Sequence, residues 1–321
     1  MSLGINTSTP EGLVLAADSR QSYRNQKGAS RIGSDSASKV FKLSDKVGLV
    51  VAGLAFLPED DVPKNISSFI EDFKTTHDVE KQTVEETAKQ LKDFFEEKYN
   101  YSERLDNVVA NVERDLKNQG FSEINVTKKD DHVEFEFNDK EGNKKSGGAA
   151  VDQLQFILTG FNRDDSHQTA LVYVPGNVEI KRDSKKRGSE YGATWIGQTD
   201  VVSRIVLGFD NRISNLPIIQ KSHSEFGGDQ VQAQLRALEY IIQWGTMTLQ
   251  DGVDFSRLMI ETTTAIQRFS DGIKADPGSI PGVGGHTDVA VITHDEGFVW
   301  LSKKHLTSGD SMVDLEKVQN D

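Results

Sequence analysis

The residues best suited to chemistry stand near the start of the chain: Ser2 in Met-Ser-Leu-Gly, Asp18 in Ala-Ala-Asp-Ser-Arg, and Lys39 in Ser-Lys-Val-Phe-Lys-Leu. A serine hydroxyl is a poor nucleophile until a base takes its proton. A chain terminus supplies an unusual base, because a free α-amine has an ordinary pKa of about 7.7–8.0 and sits on the nucleophile's own residue. Removal of Met1 would give Ser2 both groups. A buried lysine beside that amine would weaken its hold on a proton by like-charge repulsion, and a carboxylate would keep the lysine in place. Lys39 and Asp18 fill these roles if the first strands fold back together. Each also has a plain structural use: serine commonly follows an initiator methionine, Asp18 can cap a turn and pair with Arg20, and Lys39 can be an exposed strand residue like Lys42.

Composition narrows the chemistry further. With no cysteine among 321 residues, a disulfide scaffold, a zinc-thiolate site and a cysteine nucleophile are excluded. A formal charge of -13 argues against nucleic acid as a partner, since phosphate contacts need clustered Lys and Arg. The one dense basic run, Lys181-Arg182 with Lys185-Lys186-Arg187, is broken by Asp183 and reads as a solvated loop. No apolar run reaches the roughly 18 residues of a membrane span, and no secretory signal opens the chain. The expectation is a soluble, cytoplasmic protein. His286, Asp288, His294 and Asp295 read as solvated hydrogen-bonding residues rather than metal ligands. Gly-Ser-Ile-Pro-Gly-Val-Gly-Gly (278–285) lacks the Gly-Lys-Ser/Thr ending of a phosphate loop and reads as a flexible loop.

The elements that must position the candidates follow from periodicity. Residues 1–57 read as short strands rich in β-branched residues, with a hairpin turn at Leu-Ser-Asp-Lys-Val (43–47). After Pro63, Ile66, Phe69, Ile70 and Phe73 recur at helical spacing, as do Val84, Ala88, Leu91 and Phe95, and then Leu105, Val108, Val109, Val112 and Leu116. Val133, Phe135 and Phe137 alternate with acidic residues in an exposed hairpin ending at Glu141-Gly142, and Ser-Gly-Gly-Ala-Ala reads as a linker. Strands return from residue 154. Val231, Leu235, Leu238 and Ile242 mark one further helix; Phe255, Leu258, Met259, Ile266 and Phe269 mark another. Two strands around Asp-Glu-Gly close the fold. This order fits sheets with helices packed outside them. A single domain over 1–321, with an enlarged helical and hairpin segment at 60–150, is the simplest organisation.

One stretch carries a family resemblance. Gly-Leu-Val-Leu-Ala-Ala-Asp-Ser-Arg (12–20), followed about twenty residues later by Ser-Lys-Val-Phe-Lys-Leu and then by Val-Gly-Leu-Val-Val-Ala-Gly-Leu-Ala (47–55), resembles the start of proteasome-type subunits of the N-terminal-nucleophile hydrolases. Ile-Gly-Gln-Thr-Asp (196–200) resembles the turn before that family's third helix, and residues 283–300 its final strand pair.

The resemblance implies an α+β fold, a four-layer αββα sandwich. It also implies hydrolysis of peptide (amide) bonds, with Ser2 as nucleophile, Asp18 and Lys39 as its supports, and the Gly53 N–H as oxyanion donor. A short insertion between Arg20 and Lys39 keeps all four in register. Gly53 could equally let a strand pass tightly into a helix. Gln21, Ala37, Val51 and Ala55 would line a mostly apolar specificity pocket of moderate size. No cofactor or metal is implied. Peptide or protein substrates and a ring-forming homo-oligomer are; a partner ATPase is left open. Ile196, Ile280 and Val283 depart from the pattern, standing where active members carry Ser, Asp and Ser. Thr199, Asp276 or Ser279 could substitute for them. The alternatives are a non-catalytic scaffold or binding subunit on the same fold, or a hydrolase of small amides.

Overall fold

The computed structural model describes residues 2–24, 30–59, 62–129, 132–274, 276–277, 281–308 and 311–313. Strands β1 (Leu3–Thr9) and β2 (Gly12–Ala17) form a hairpin, followed by the short pair β3 (Gln21–Arg24) and β4 (Ser30–Ser34). Next come β5 (Val40–Lys42) and β6 (Val47–Ala52), then the small pair β7 (Phe56–Glu59) and β8 (Val62–Asn65). Helices α1 (Ile66–Thr76), α2 (Val84–Tyr99) and α3 (Tyr101–Asn118) lead into β9 (Ser122–Lys128), β10 (Val133–Asn138) and β11 (Lys144–Ala149). Strands β12 (Leu154–Phe161), β13 (His167–Val174), β14 (Val178–Asp183) and β15 (Gly192–Gly197) follow, then helices α4 (Asp200–Val206), α5 (Pro217–Phe226), α6 (Gly228–Arg236) and α7 (Leu249–Phe269). A two-residue pair, β16 (Gly272–Ile273) and β17 (Asp276–Pro277), precedes β18 (Asp288–Thr293) and β19 (Gly297–Ser302). Beyond these lie β20 (Leu306–Ser308) and β21 (Ser311–Val313).

The architecture is α+β. Two five-stranded antiparallel sheets carry it, ordered β15-β1-β2-β18-β19 and β14-β13-β12-β6-β5. Strand β2 explains how they sit. Its side chains alternate between faces, so Leu13, Leu15 and Ala17 join Val50, Ile157 and Leu171 of the second sheet in one apolar cluster. Val14 and Ala16 join Val202 of α4 with Val253, Met259 and Ile260 of α7 in another. A strand buried on both faces needs the continuous apolar run that Gly-Leu-Val-Leu-Ala-Ala provides. The second sheet is covered in turn by α1 and α2, whose Phe69, Phe73, Leu91 and Phe95 pack on Phe156 and Val172. Truncating one such fully buried residue, Leu15→Ala, removes about 2–5 kcal/mol of stability.

Local signals start the long helices. Thr83 caps α2 in a reciprocal box with Glu86, and the helix stops at Asn100 in a left-handed conformation. Thr248 and Asp251 form the same box at α7. No helix among the described residues is long and apolar enough to cross a membrane.

Four sequence expectations change. Ser-Gly-Gly-Ala lies within β11, the third strand of a sheet that packs on α3, because Gly147 gives the Phe135 ring room to lie flat across the pair. Lys181 and Arg182 belong to β14, with the Arg182 guanidinium donating to Ala193 O across the gap between sheets. The helix expected through Ile242 ends at Arg236; the chain then turns so that Tyr240 N reaches Val206 O at the end of α4. On α7 the buried face runs Val253, Ser256, Met259, Ile260 and Thr263, leaving Leu258 on the outer face and Ile266 and Phe269, past the last buried residue, exposed.

Candidate active site

The turn after β2 is organised by one carboxylate. Asp18 Oδ1 accepts from Leu3 N at 2.9 Å and from Lys39 Nζ at 2.8 Å, while Oδ2 accepts from Arg20 N and Gly284 N, each at 3.0 Å. Four donors from four chain segments satisfy a side chain that is almost wholly buried. Asp18 thereby ties the start of β1, the segment leading into β5 and the loop before β18 to one point.

Lys39 is buried as well, and its ammonium also donates to Arg20 O at 2.5 Å. Burial pushes its pKa below the ordinary lysine value; the Asp18 carboxylate opposes that, and the positive charges of Lys304 and Arg20 add to it. The result is a fixed lysine with a weakened hold on its proton.

Ser2 is 6 % exposed and is held by its main chain: Ser2 O accepts from Gln198 N at 2.7 Å. The turn that makes this contact needs Gly197, whose φ is +86° and where a Cβ would stand 2.0 Å from Ser2 O. Gly53 follows β6 with φ at +101°, and a Cβ there would stand 2.1 Å from Gln153 O. Only a glycine allows the backbone to turn there.

A small, partly open cleft lies above these groups. Ser2, Lys39 and Gly53 line it, together with Gln21, Ala37, Val51 and Ala55. Asp18 lies beneath, in contact with Lys39. Arg20, Ser22, Ser38, Ala52, Leu54, Asn65 and Ile66 complete the lining, so the last residue of β8 and the first residue of α1 form one wall. The lining mixes short polar and aliphatic side chains, with cationic groups only at Lys39 and Arg20.

The supporting loops are fixed by polar contacts that spacing alone did not reveal. Arg20 makes a two-pronged ion pair with Asp35, at 2.7 and 3.0 Å, and reaches Pro281 O at 3.5 Å. Gln267 of α7 accepts from Gly282 N and Val283 N, both at 2.8 Å, and donates to Gln198 Oε1 at 2.8 Å. Pro281–Gly285, expected to be a flexible loop, is therefore pinned from two sides. Residues 278–280, including Ser279 and Ile280, lie outside the described residues.

Ile196 and Val283 are buried in apolar clusters and bring no polar group to the cleft. Asp288, expected to be solvated, is buried and bound by Lys304, whose main-chain N donates to Oδ1 at 2.9 Å and whose ammonium meets Oδ2. Among the described residues no group of three or more His, Asp and Glu is placed to hold a metal ion.

No family model matches the chain, and no curated protein matches it. Among solved structures the chain is similar to an Anbu (Gly-1) mutant from Hyphomicrobium sp. strain MC1, at 13 % identity and a TM-score of 0.44, with 100 % of this chain and 91 % of that chain covered.

Proposed function

We propose that this chain is a proteasome-like N-terminal-nucleophile hydrolase, a four-layer αββα sandwich that cleaves peptide bonds with Ser2. The observation that carries the reading is the shared cleft: Ser2, Lys39 and Gly53 line it, with the Asp18 carboxylate bound to Lys39 below. The reaction requires a chain that begins at Ser2. The freed α-amine takes the proton of Ser2 Oγ as the oxygen attacks the substrate carbonyl. Lys39, held by Asp18, lowers the amine's hold on a proton, and the Gly53 N–H faces the developing oxyanion. Collapse expels the leaving amine, which takes the proton from the α-amine. Water, deprotonated by the same amine, then releases the acyl group and regenerates Ser2. No cofactor takes part.

Short uncharged side chains around the cleft favour peptides with a small or medium uncharged residue at the cleaved bond. Assembly into a homo-oligomeric ring in the cytoplasm accompanies this reading. The test is hydrolysis of short fluorogenic peptides. The Ser2→Ala variant and a protein with a blocked Ser2 amine should both be inactive while keeping the native fold, and full activity in either would overturn the proposal.

The apolar burial of Ile196 and Val283 favours a second reading, a non-catalytic scaffold on the same fold. Turnover by the purified protein that disappears on Lys39→Ala would remove it.

A further inference from the structure

Residues 211–241 leave the body of the fold and return to it at one place. Asp210, buried just before them, accepts from Arg212 N at 2.8 Å and meets the Arg204 guanidinium of α4. On the return, Leu238 closes over Gly208, where a Cβ would stand 2.7 Å from the Leu238 Cβ, and Tyr240 N donates to Val206 O at 2.9 Å. Both feet of the excursion therefore stand at the C-terminal end of α4, and α5 and α6 pack on each other as an arm between them.

The arm leaves its apolar side chains in water. Among the described residues of this segment only Val231 is buried, and α5 buries none of its own. Ile218 is 72 % exposed and Ile241 89 %, and Leu216, Phe226 and Tyr240 are exposed beside them. Single apolar residues on a surface need no explanation, but a group of them on one short excursion marks an interaction surface. The segment matches in length the roughly 20–30 residues that each side of a stable interface contributes.

Its charges say which partner fits. The chain carries -13, yet residues 211–241 balance Arg212, Lys221 and Arg236 against Glu225, Asp229 and Glu239. Two copies of the chain repel each other over the rest of their surface and carry no net repulsion at the arm. The pattern on α5 is also self-complementary. Ile218 and Phe226 stand one turn to either side of Ser222, so antiparallel α5 helices centred on Ser222 set each Ile218 against Phe226 of the other copy, with a small side chain at the crossing. Lys221 and Glu225 lie one turn apart, with Nζ and Oε1 3.7 Å apart within the chain, and the same pairing brings each within reach of its opposite charge on the second copy. A two-fold contact requires such reciprocity, residue i meeting j while j meets i.

We propose that the α5–α6 arm is a two-fold docking surface for a second copy of this chain, with antiparallel α5 helices crossing at Ser222. The contact adds a two-fold interface to the homo-oligomer of the hydrolase reading, and it stands without that reading's chemistry.

The test exploits a chain without cysteine. Full-length Ser222→Cys and Ser224→Cys proteins are oxidised with copper phenanthroline and run on gels without reductant; position 224 lies about 200° around the helix from position 222. The expected result is a covalent dimer from Ser222→Cys and none from Ser224→Cys. Light scattering on the unaltered protein should give the mass of two chains or a multiple of two. Ile218→Glu should halve that mass, as should Lys221→Glu, and adding Glu225→Lys to Lys221→Glu should restore it. Ile218 is exposed in the single chain, so circular dichroism should stay native in its variant. A single-chain mass for the unaltered protein, equal cross-linking at the two cysteine positions, or a mass unmoved by Ile218→Glu would overturn the proposal and leave the arm to a different kind of partner. A paired protein without peptidase activity would support the pairing while removing the hydrolase reading.

Discussion

Asp18 Oδ1 stands 2.8 Å from Lys39 Nζ and 2.9 Å from Leu3 N, so a single oxygen locks the lysine to the strand that begins one residue after Ser2. The two side chains are 1 % and 7 % exposed, which makes the pair costly to break and hard for solvent to replace. Lys39→Met should leave the carboxylate with three main-chain donors and no cation. The expected loss is about 3–5 kcal/mol of stability, the usual consequence of removing one partner of a buried pair. Urea denaturation of the two proteins measures it.

Gly197 positions Ser2 through its lack of a side chain. In Gly197→Ala the new methyl would meet Ser2 O at 2.0 Å on a backbone with φ at +86°, so β1 must shift away from the Gln198 N–H. Peptide turnover should fall at least tenfold, the equivalent of about 1.4 kcal/mol in the barrier. Circular dichroism should remain native. A variant with unchanged kcat would show that the position of the Ser2 carbonyl does not matter for turnover.

Gln267 is the brace of the loop that delivers Gly284 N to Asp18. Gln267→Leu strips the acceptor from two main-chain N–H groups, at a cost of about 1–3 kcal/mol. Hydrogen exchange at Gly282 and Val283 should accelerate in this variant, while amides in β12 and β13 keep their protection.

His167 governs the acid side of the stability curve. It is buried with Nδ1 unpartnered, and burial pushes its pKa below the ordinary 6.5, against the smaller pull of Asp183 and Glu190. The neutral ring's contribution is complete above pH 6.5 and is lost as pH falls below that value, because the unfolded chain then binds the proton more readily. His294 has the opposite sign. Asp295 and Asp165 raise its pKa, so its contribution is complete below 6.5 and fades as pH rises through the raised value; full exposure keeps it small. Unfolding free energy should therefore drop as pH falls below 6.5, and His167→Gln should flatten that slope.

Much of the fold was legible because both of its periods are strong. Phe69, Ile70, Phe73, Leu91 and Phe95 stand at helical spacing and are all fully buried, and the β2 run is apolar on both faces because both are covered. The reading failed where apolar side chains stay in water: Leu238 and Phe269 sit in or near helical patterns yet stay largely exposed, and a pattern cannot report which face meets a partner. For the cleft, residue chemistry over residues 2–57 brought Ser2, Asp18 and Lys39 into view, and the family resemblance added Gly53 and the lining Gln21, Ala37, Val51 and Ala55. Gln267, Gly284 and Lys304 were not visible, because their contacts span up to 266 positions and depend on main-chain atoms that carry no residue signature.

The central claim, that Ser2 is an N-terminal nucleophile, is tested most directly by intact-mass analysis before and after treatment with a peptide epoxyketone. This electrophile closes a ring using both the hydroxyl and the α-amine of one terminal residue. The account predicts loss of Met1 and a stoichiometric adduct that maps to Ser2 and is absent from Lys39→Ala. Retained Met1 with no adduct, in a protein whose peptidase activity is intact, would contradict it.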